Sequence, residues 1–149
     1  MKSKAIFAEG CFWGVETLFR KVPGVLDVVV GYTGGHTQNP TYTDVCTGKT
    51  GHAESVEITF DPDKVSYAEL LDTFWKTHNP TTLNRQGPDI GEQYRSTIFY
   101  IDAKQKELAE KSKPEKAVTE ITKASTFYPA ENYHQHYFEK KGIDPTCHI

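Results

Sequence analysis

Cys11 stands between two glycines in Gly10-Cys11-Phe12-Trp13-Gly14, at the point where a strand-like stretch gives way to a helical one. A thiol at the first turn of a helix is drawn toward thiolate by the unpaired amides and the macrodipole, and thiolate is the nucleophilic form. The bland alternative is a small buried cysteine capping a tight turn, the usual lot of a free cysteine. Against it, the flanking glycines admit close approach of a substrate or a second backbone, and Phe12-Trp13 can wall an apolar pocket. Glu54 is the second candidate. In the alternating segment 54–60 it shares parity with Val56, Ile58 and Phe60, so it should point inward while Ser55, Glu57 and Thr59 face water. Burial there would keep the carboxyl protonated and ready to act as an acid. A frayed strand end, with Glu54 solvated or paired to a Lys or Arg, is the competing reading. Tyr42, Asp89 and Tyr94 add two phenols and a carboxylate in or beside long loops. With eight tyrosines in the chain, nothing in the pattern alone singles out Tyr42 or Tyr94.

The elements that must position these groups are legible as a series of periods. Residues 4–9 read as a strand ended by Gly10, and residues 12–22 carry apolar side chains at Phe12, Val15, Leu18, Phe19 and Val22, a helical repeat stopped by Pro23-Gly24. Residues 25–32 form a nearly continuous apolar strand, and 31–51 a long loop rich in Gly, Thr, Asn and Pro. After the strand 54–60, Ser66-x-x-Glu69 is a capping box opening a helix through about His78. A second loop, 79–93, leads to a strand at 94–101 and a charged helix over 103–113; residues 118–123 suit a last strand and 131–141 a short helix. The order strand, helix, strand, strand, helix, strand predicts an α+β fold, a two-layer sandwich with the split βαβ core of ferredoxin-like domains and long coil segments.

The 149 residues fit a single catalytic domain, 1–149, with an irregular tail from about residue 142 that is expected to be mobile. Seventeen basic and 20 acidic residues, scattered along the chain, give a net charge of −3, which points to neither nucleic acid nor an anionic membrane. The N-terminal stretch lacks the apolar region of a secretory signal, and no run approaches the length of a membrane span. A soluble cytoplasmic monomer is expected. Cys11, Cys46 and Cys147 are odd in number and widely spaced, unlike a secreted disulfide framework. There is no Cys-x-x-Cys, and His134-x-His136 lacks partners at ligand spacing, so no metal is expected. No glycine-rich phosphate loop follows a strand, which argues against a nucleotide cofactor.

Taken as an ordered series, Gly10-Cys11-Phe12-Trp13-Gly14, Gly31-Tyr32-Thr33-Gly34-Gly35, Asn39-Pro40-Thr41-Tyr42 and Thr50-Gly51-His52-Ala53-Glu54 resemble the methionine sulfoxide reductase A family. The likeness continues through His78-Asn79-Pro80, Arg85-Gln86-Gly87, Asp89-Ile90-Gly91, Gln93-Tyr94-Arg95-Ser96 and Phe127-Tyr128-Pro129-Ala130-Glu131 to His134-Gln135, nearly the whole chain. The resemblance implies an α/β sandwich that reduces the S epimer of methionine sulfoxide, free and in proteins, without a bound cofactor. It implies that Cys11 attacks the sulfoxide sulfur, that Glu54 protonates the oxygen, and that Tyr42 and Tyr94 hydrogen-bond it. Asp89 would support the site and the bound backbone, and Phe12 and Trp13 would hold the methyl group. Oxygen transfer leaves a sulfenic acid that a second thiol must capture. Cys147, in the tail, is the candidate, and thioredoxin would then reduce the disulfide. Family members often carry one or two such cysteines in a longer glycine-rich tail; here there is one, two residues from the end. Cys46 is an alternative resolving thiol, although a bystander role is favoured. His36 stands where an aromatic is common.

Three other functions fit the same residues in part. A thiol peroxidase or redox sensor would use the same sulfenic acid, but peroxide needs no methyl pocket such as Phe12-Trp13 could form. A cysteine hydrolase would need a histidine poised beside Cys11. A binding module would hold methionine sulfoxide without turning it over.

Overall fold

A computed structural model describes residues 2–135 and 137 of the chain. Strand β1 (Ser3–Glu9) leads into helix α1 (Phe12–Arg20), strand β2 (Val25–Thr33), helix α2 (Tyr42–Cys46), strand β3 (Ala53–Phe60) and helix α3 (Tyr67–Lys76). A two-residue ladder of β4 (Arg85–Gln86) with β5 (Asp89–Ile90) and a single 3-10 turn (Glu92–Tyr94) follow. The chain continues through β6 (Ser96–Tyr100), α4 (Ala103–Ser112), β7 (Glu120–Lys123), β8 (Tyr128–Pro129) and a 3-10 turn at Asn132–His134.

Six strands form one sheet in the order β7-β6-β1-β3-β2-β8. Its centre, β6-β1-β3-β2, is antiparallel throughout, with β3 inserted between β1 and β2, which is the split βαβ arrangement expected from the sequence. The fold is α+β. β7 extends it in parallel with β6 through α4, and β8 closes the far edge on β2.

The alternation of β1, β2 and β3 sends Ala5, Phe7, Val28, Val30, Val56, Ile58 and Phe60 to one face, where Phe12, Val15 and Phe19 of α1 and Leu70, Leu71 and Phe74 of α3 pack on them. That buried layer is the main apolar contribution to stability, at about 1.5–3 kcal/mol for each fully buried large side chain. The opposite face carries a smaller cluster of Ile6, Ala8, Ala53 and Phe99, partly covered by Ala124 and Phe127.

Several boundaries differ from expectation for local reasons. Helix α1 ends at Arg20 rather than Val22, because the residue before Pro23 is driven out of helical geometry. Ser66 accepts from the Glu69 N–H at 3.1 Å, so α3 is capped as expected, but the helix stops at Lys76, short of His78. Within the loop 31–51, α2 is a one-turn helix held by a reciprocal capping box between Thr41 and Asp44. A single turn shows no 3.6-residue repeat, so periodicity does not reveal it. Tyr94 lies in a 3-10 turn and β6 begins two residues later. The segment expected to be helical from residue 131 holds a 3-10 turn over its described start. Among the described residues, no helix is long and apolar enough to cross a membrane.

Candidate active site

The register of the sheet brings the chemistry to one end. β1 runs out at Glu9, Tyr32 of β2 pairs with Glu54 at the start of β3, and β6 begins at Ser96 directly opposite Glu9. Gly10, at φ +109°, takes a conformation that side chains rarely adopt, and so swings the chain from β1 into α1. Cys11 is the N-cap of that helix and is 8% exposed. Its cap position is where helix amides favour an anion.

Glu54 is 2% exposed and lies on the apolar face with Val56, Ile58 and Phe60, as its parity implies. The Phe12 N–H donates to its Oε1 at 3.3 Å, tying carboxyl and thiol together through the first peptide of α1. Ser55 departs from expectation. It is 1% exposed rather than solvated, because that end of the opposite face lies under the Phe99–Phe127 cluster, and its hydroxyl is satisfied by the Ala53 carbonyl at 2.9 Å.

Both phenols belong to the same neighbourhood. Burial pushes the Tyr94 phenol well above its ordinary value, assisted by the nearby charges of Glu54, Cys46, Asp89 and Cys11. Tyr42 is raised likewise by burial and then by Glu54, and its hydroxyl donates to the Cys46 sulfur. Both therefore stay protonated, and able to donate hydrogen bonds, across any working pH. The Cys46 thiol is itself pushed up, by burial first and then by Glu54 and Glu131, against the lowering effect of the Tyr42 hydrogen bond. A thiol so held is a poor resting nucleophile. Asp89 sits half-buried on the β4–β5 hairpin near Tyr94. Cys147 lies outside the described residues.

Phe12 is 1% exposed and backs an aromatic stack rather than opening to solvent, with ring centroids 5.7 Å from Tyr32, 6.4 Å from Tyr42 and 5.4 Å from His134. Trp13 is more accessible. Its indole N–H donates to His134 Nδ1 at 3.0 Å, and Tyr137 stacks on it at 3.8 Å.

Two residues without a predicted role organise this cluster. Glu131 accepts from the Tyr32 hydroxyl at 2.9 Å and from the Tyr42 N–H at 3.0 Å. Burial pushes its carboxyl up, but the hydrogen bonds from Tyr42, its own amide and Tyr32 prevail and hold it below the ordinary value. His134, 1% exposed, is lowered by burial, with Glu131 opposing, so its neutral ring can accept from Trp13. The only advance signal for either was its place in the C-terminal motifs. A cavity of about 580 Å³ walled by Gly34, His36, Thr82, Arg95 and Glu120 lies apart from this cluster. Among the described residues, no group of His, Cys, Asp and Glu could hold a metal ion.

A thiol at a helix N-cap position beside a buried carboxyl and two protonated phenols, on a split βαβ sheet, fits a thiol-dependent oxidoreductase. Residues 3–149 match the family Peptide methionine sulfoxide reductase. A peptide methionine sulfoxide reductase MsrA from Methanothermobacter thermautotrophicus is 60% identical over 146 residues, 92% of this chain and 86% of that one. The fold superposes on methionine sulfoxide reductase A of Corynebacterium diphtheriae with a TM-score of 0.90 and 36% identity, covering 97% and 77% of the two chains. It also superposes on Mxr1 of Saccharomyces cerevisiae in complex with Trx2, with a TM-score of 0.64 and 25% identity, covering 99% and 88%. The chain belongs to the peptide methionine sulfoxide reductase family, and its activity is the thiol-dependent reduction of methionine sulfoxide.

Proposed function

We propose that Cys11 attacks the sulfur of methionine-S-sulfoxide, free or in an oxidised protein, while Glu54 delivers a proton to the oxygen and Tyr42 and Tyr94 hydrogen-bond it. The observation that carries this reading is the Phe12 N–H to Glu54 hydrogen bond, which keeps acid and nucleophile together at the helix start. A sulfoxide oxygen leaves poorly as bare oxide, so displacement needs an acid and donors around the developing charge. The sulfoxide sulfur gains two electrons and becomes the methionine thioether. Cys11 sulfur loses two, takes the oxygen and becomes sulfenic acid. Trp13, backed by Phe12, supplies an apolar wall for the substrate methyl group, and Asp89 supports Tyr94 and the bound backbone.

The sulfenic acid then condenses with the Cys147 thiol, releasing water and forming a disulfide, and a thioredoxin-type dithiol reduces that disulfide by exchange. The Mxr1–Trx2 complex supports the choice of reductant. Cys46 is the weaker resolving candidate because its thiol is pushed up and engaged by Tyr42. The protein is read as a single catalytic domain and a monomer, needing no bound cofactor and working in the cytoplasm, where three widely spaced cysteines stay reduced.

The test is single-turnover reduction of a peptide carrying both sulfoxide epimers, with pre-reduced protein and no added thiol. Loss of the S epimer alone, and no loss with Cys11→Ser, is expected; turnover by Cys11→Ser would remove the nucleophile assignment. Cys147→Ser should complete one turnover, accumulate sulfenic acid and fail to recycle with thioredoxin. Normal recycling by that variant would transfer the resolving role to Cys46 or to direct reduction by small thiols.

A further inference from the structure

The 3-10 turn Asn132–His134 sends two rings in opposite directions. His134 is 1% exposed and accepts the Trp13 indole N–H, whereas Tyr133 is 60% exposed. The turn is fixed, because the His134 N–H donates to the Glu131 carbonyl at 2.9 Å and the Gln135 N–H to the Asn132 carbonyl at 3.1 Å. Gln135 also bonds both polar groups of Val30, which fastens this backbone to β2. Tyr133 is thus an outward ring on an anchored base.

Its inner flank joins the site. Tyr133 packs on His134 with ring centroids 4.2 Å apart, and His134 on Tyr42 at 4.5 Å. Tyr42 stacks on Trp13 at 6.2 Å, and Trp13 carries Tyr137. Tyr42, Trp13 and Tyr137 are each half-buried, so an aromatic surface runs from the helix that follows Cys11 out to Tyr133. The Tyr133 hydroxyl lies beside the Glu131 carboxylate, and the residue is near enough to Cys46 to feel its charge. Ordering a tyrosine against a partner costs little, since it has two side-chain torsions, and exposed rings of this kind carry much of the affinity at recognition surfaces. A lone exposed apolar side chain needs no such explanation. Leu26 is one, 49% exposed and at the opposite end of β2 from Tyr32. Tyr133 differs because it continues the aromatic wall of the site.

We propose that Tyr133 determines specificity for polypeptide substrates: its exposed face receives an apolar side chain one or two positions from the methionine sulfoxide. This rests on the reading that the sulfoxide enters beside Cys11 and Tyr42. Two ring contacts separate Tyr133 from Tyr42, a span that two residues of extended chain cover at about 3.3–3.6 Å each. Free methionine sulfoxide has no neighbouring residue and cannot use the ring. The Glu131 carboxylate beside the Tyr133 hydroxyl is held below its ordinary value, so it stays charged and sets an acidic neighbour at a disadvantage.

The experiment follows the single-turnover rate against substrate concentration, for S-epimer peptides with Leu, Gly or Glu one or two positions to either side of the sulfoxide and for free methionine-S-sulfoxide. Wild type should bind the best Leu peptide about three- to tenfold more tightly than its Gly counterpart, the scale of one aromatic contact, and the Glu peptide least. Tyr133→Ala should abolish that preference while keeping the maximal rate and the affinity for free methionine sulfoxide. Tyr133→Phe keeps the ring and should retain the preference, and Leu26→Ala should match wild type throughout. A wild type indifferent to the neighbour overturns the inference without any variant. A Leu preference that survives in Tyr133→Ala, or an equal loss of affinity for free and peptide substrates in that variant, overturns it too. Reduction of both substrates by Cys11→Ser is a different failure: it removes the underlying reading, and this inference with it.

Discussion

The proposed acid and nucleophile meet through one peptide: the amide that Glu54 accepts belongs to Phe12, the residue after Cys11. A substitution at Glu54 can therefore act on the chemistry without moving Cys11, provided the acceptor is kept. Glu54→Gln retains an oxygen for that N–H and removes the proton donor. It should slow the first turnover by roughly 10²-fold or more while leaving substrate affinity nearly unchanged. Rapid-quench measurement of product, with affinity taken from Trp13 fluorescence, separates the two, and a wild-type first-turnover rate would remove Glu54 from the acid role.

Among the elements, α2 is a short helix that depends on partners outside itself. It is five residues long, and its capping box satisfies only its own first turn. Val45 anchors it in the core, and its polar tie to the sheet is Glu131, which receives the Tyr42 amide and the Tyr32 hydroxyl. Hydrogen bonds to a charged acceptor contribute about 1.5–3 kcal/mol each, more than neutral ones. Glu131→Gln keeps the shape but loses the charge, and should cost about 1–3 kcal/mol in denaturant unfolding and lower the oxygen-transfer rate through a displaced Tyr42. The Glu131 carboxyl is held below its ordinary value, so its stabilisation is fully present above the ordinary carboxylate range and is lost as pH falls through the lower folded value. An unchanged midpoint at neutral pH for Glu131→Gln would show that α2 is held by packing alone.

Over the whole molecule, residues 128–135 fold back as a clamp on β2 and α1. Ala130 N–H bonds the Val30 carbonyl, Gln135 bonds both polar groups of Val30, and His134 takes the Trp13 indole. His134 favours its neutral form when folded, having been lowered from 6.5 by burial. Its contribution is present above the unfolded value and lost as pH falls below about 6.5 toward the folded one. Calorimetry from pH 7.5 down to 5 should therefore show a falling Tm for the wild type and a flatter profile for His134→Gln, which can still accept from Trp13. Identical slopes would exclude His134 as the group responsible.

The order of elements, the caps at Ser66 and around Cys11, and the inward side of Glu54 were legible in the chain, because each depends on residues a few positions apart and on one period per element. The resemblance supplied the remaining site residues by motif rather than by local physics. Tertiary structure alone decided what pairs with what. Phe12 meets Glu54 across 42 residues, Tyr42 meets Glu131 across 89, and Trp13 meets His134 across 121. Ser55 is buried because a coil from the far end of the chain helps cover it, and Phe7 meets Val56 because β3 inserts beside β1. Local periodicity tells which side of a strand a residue occupies. Only strand order and register tell whose side chain waits there.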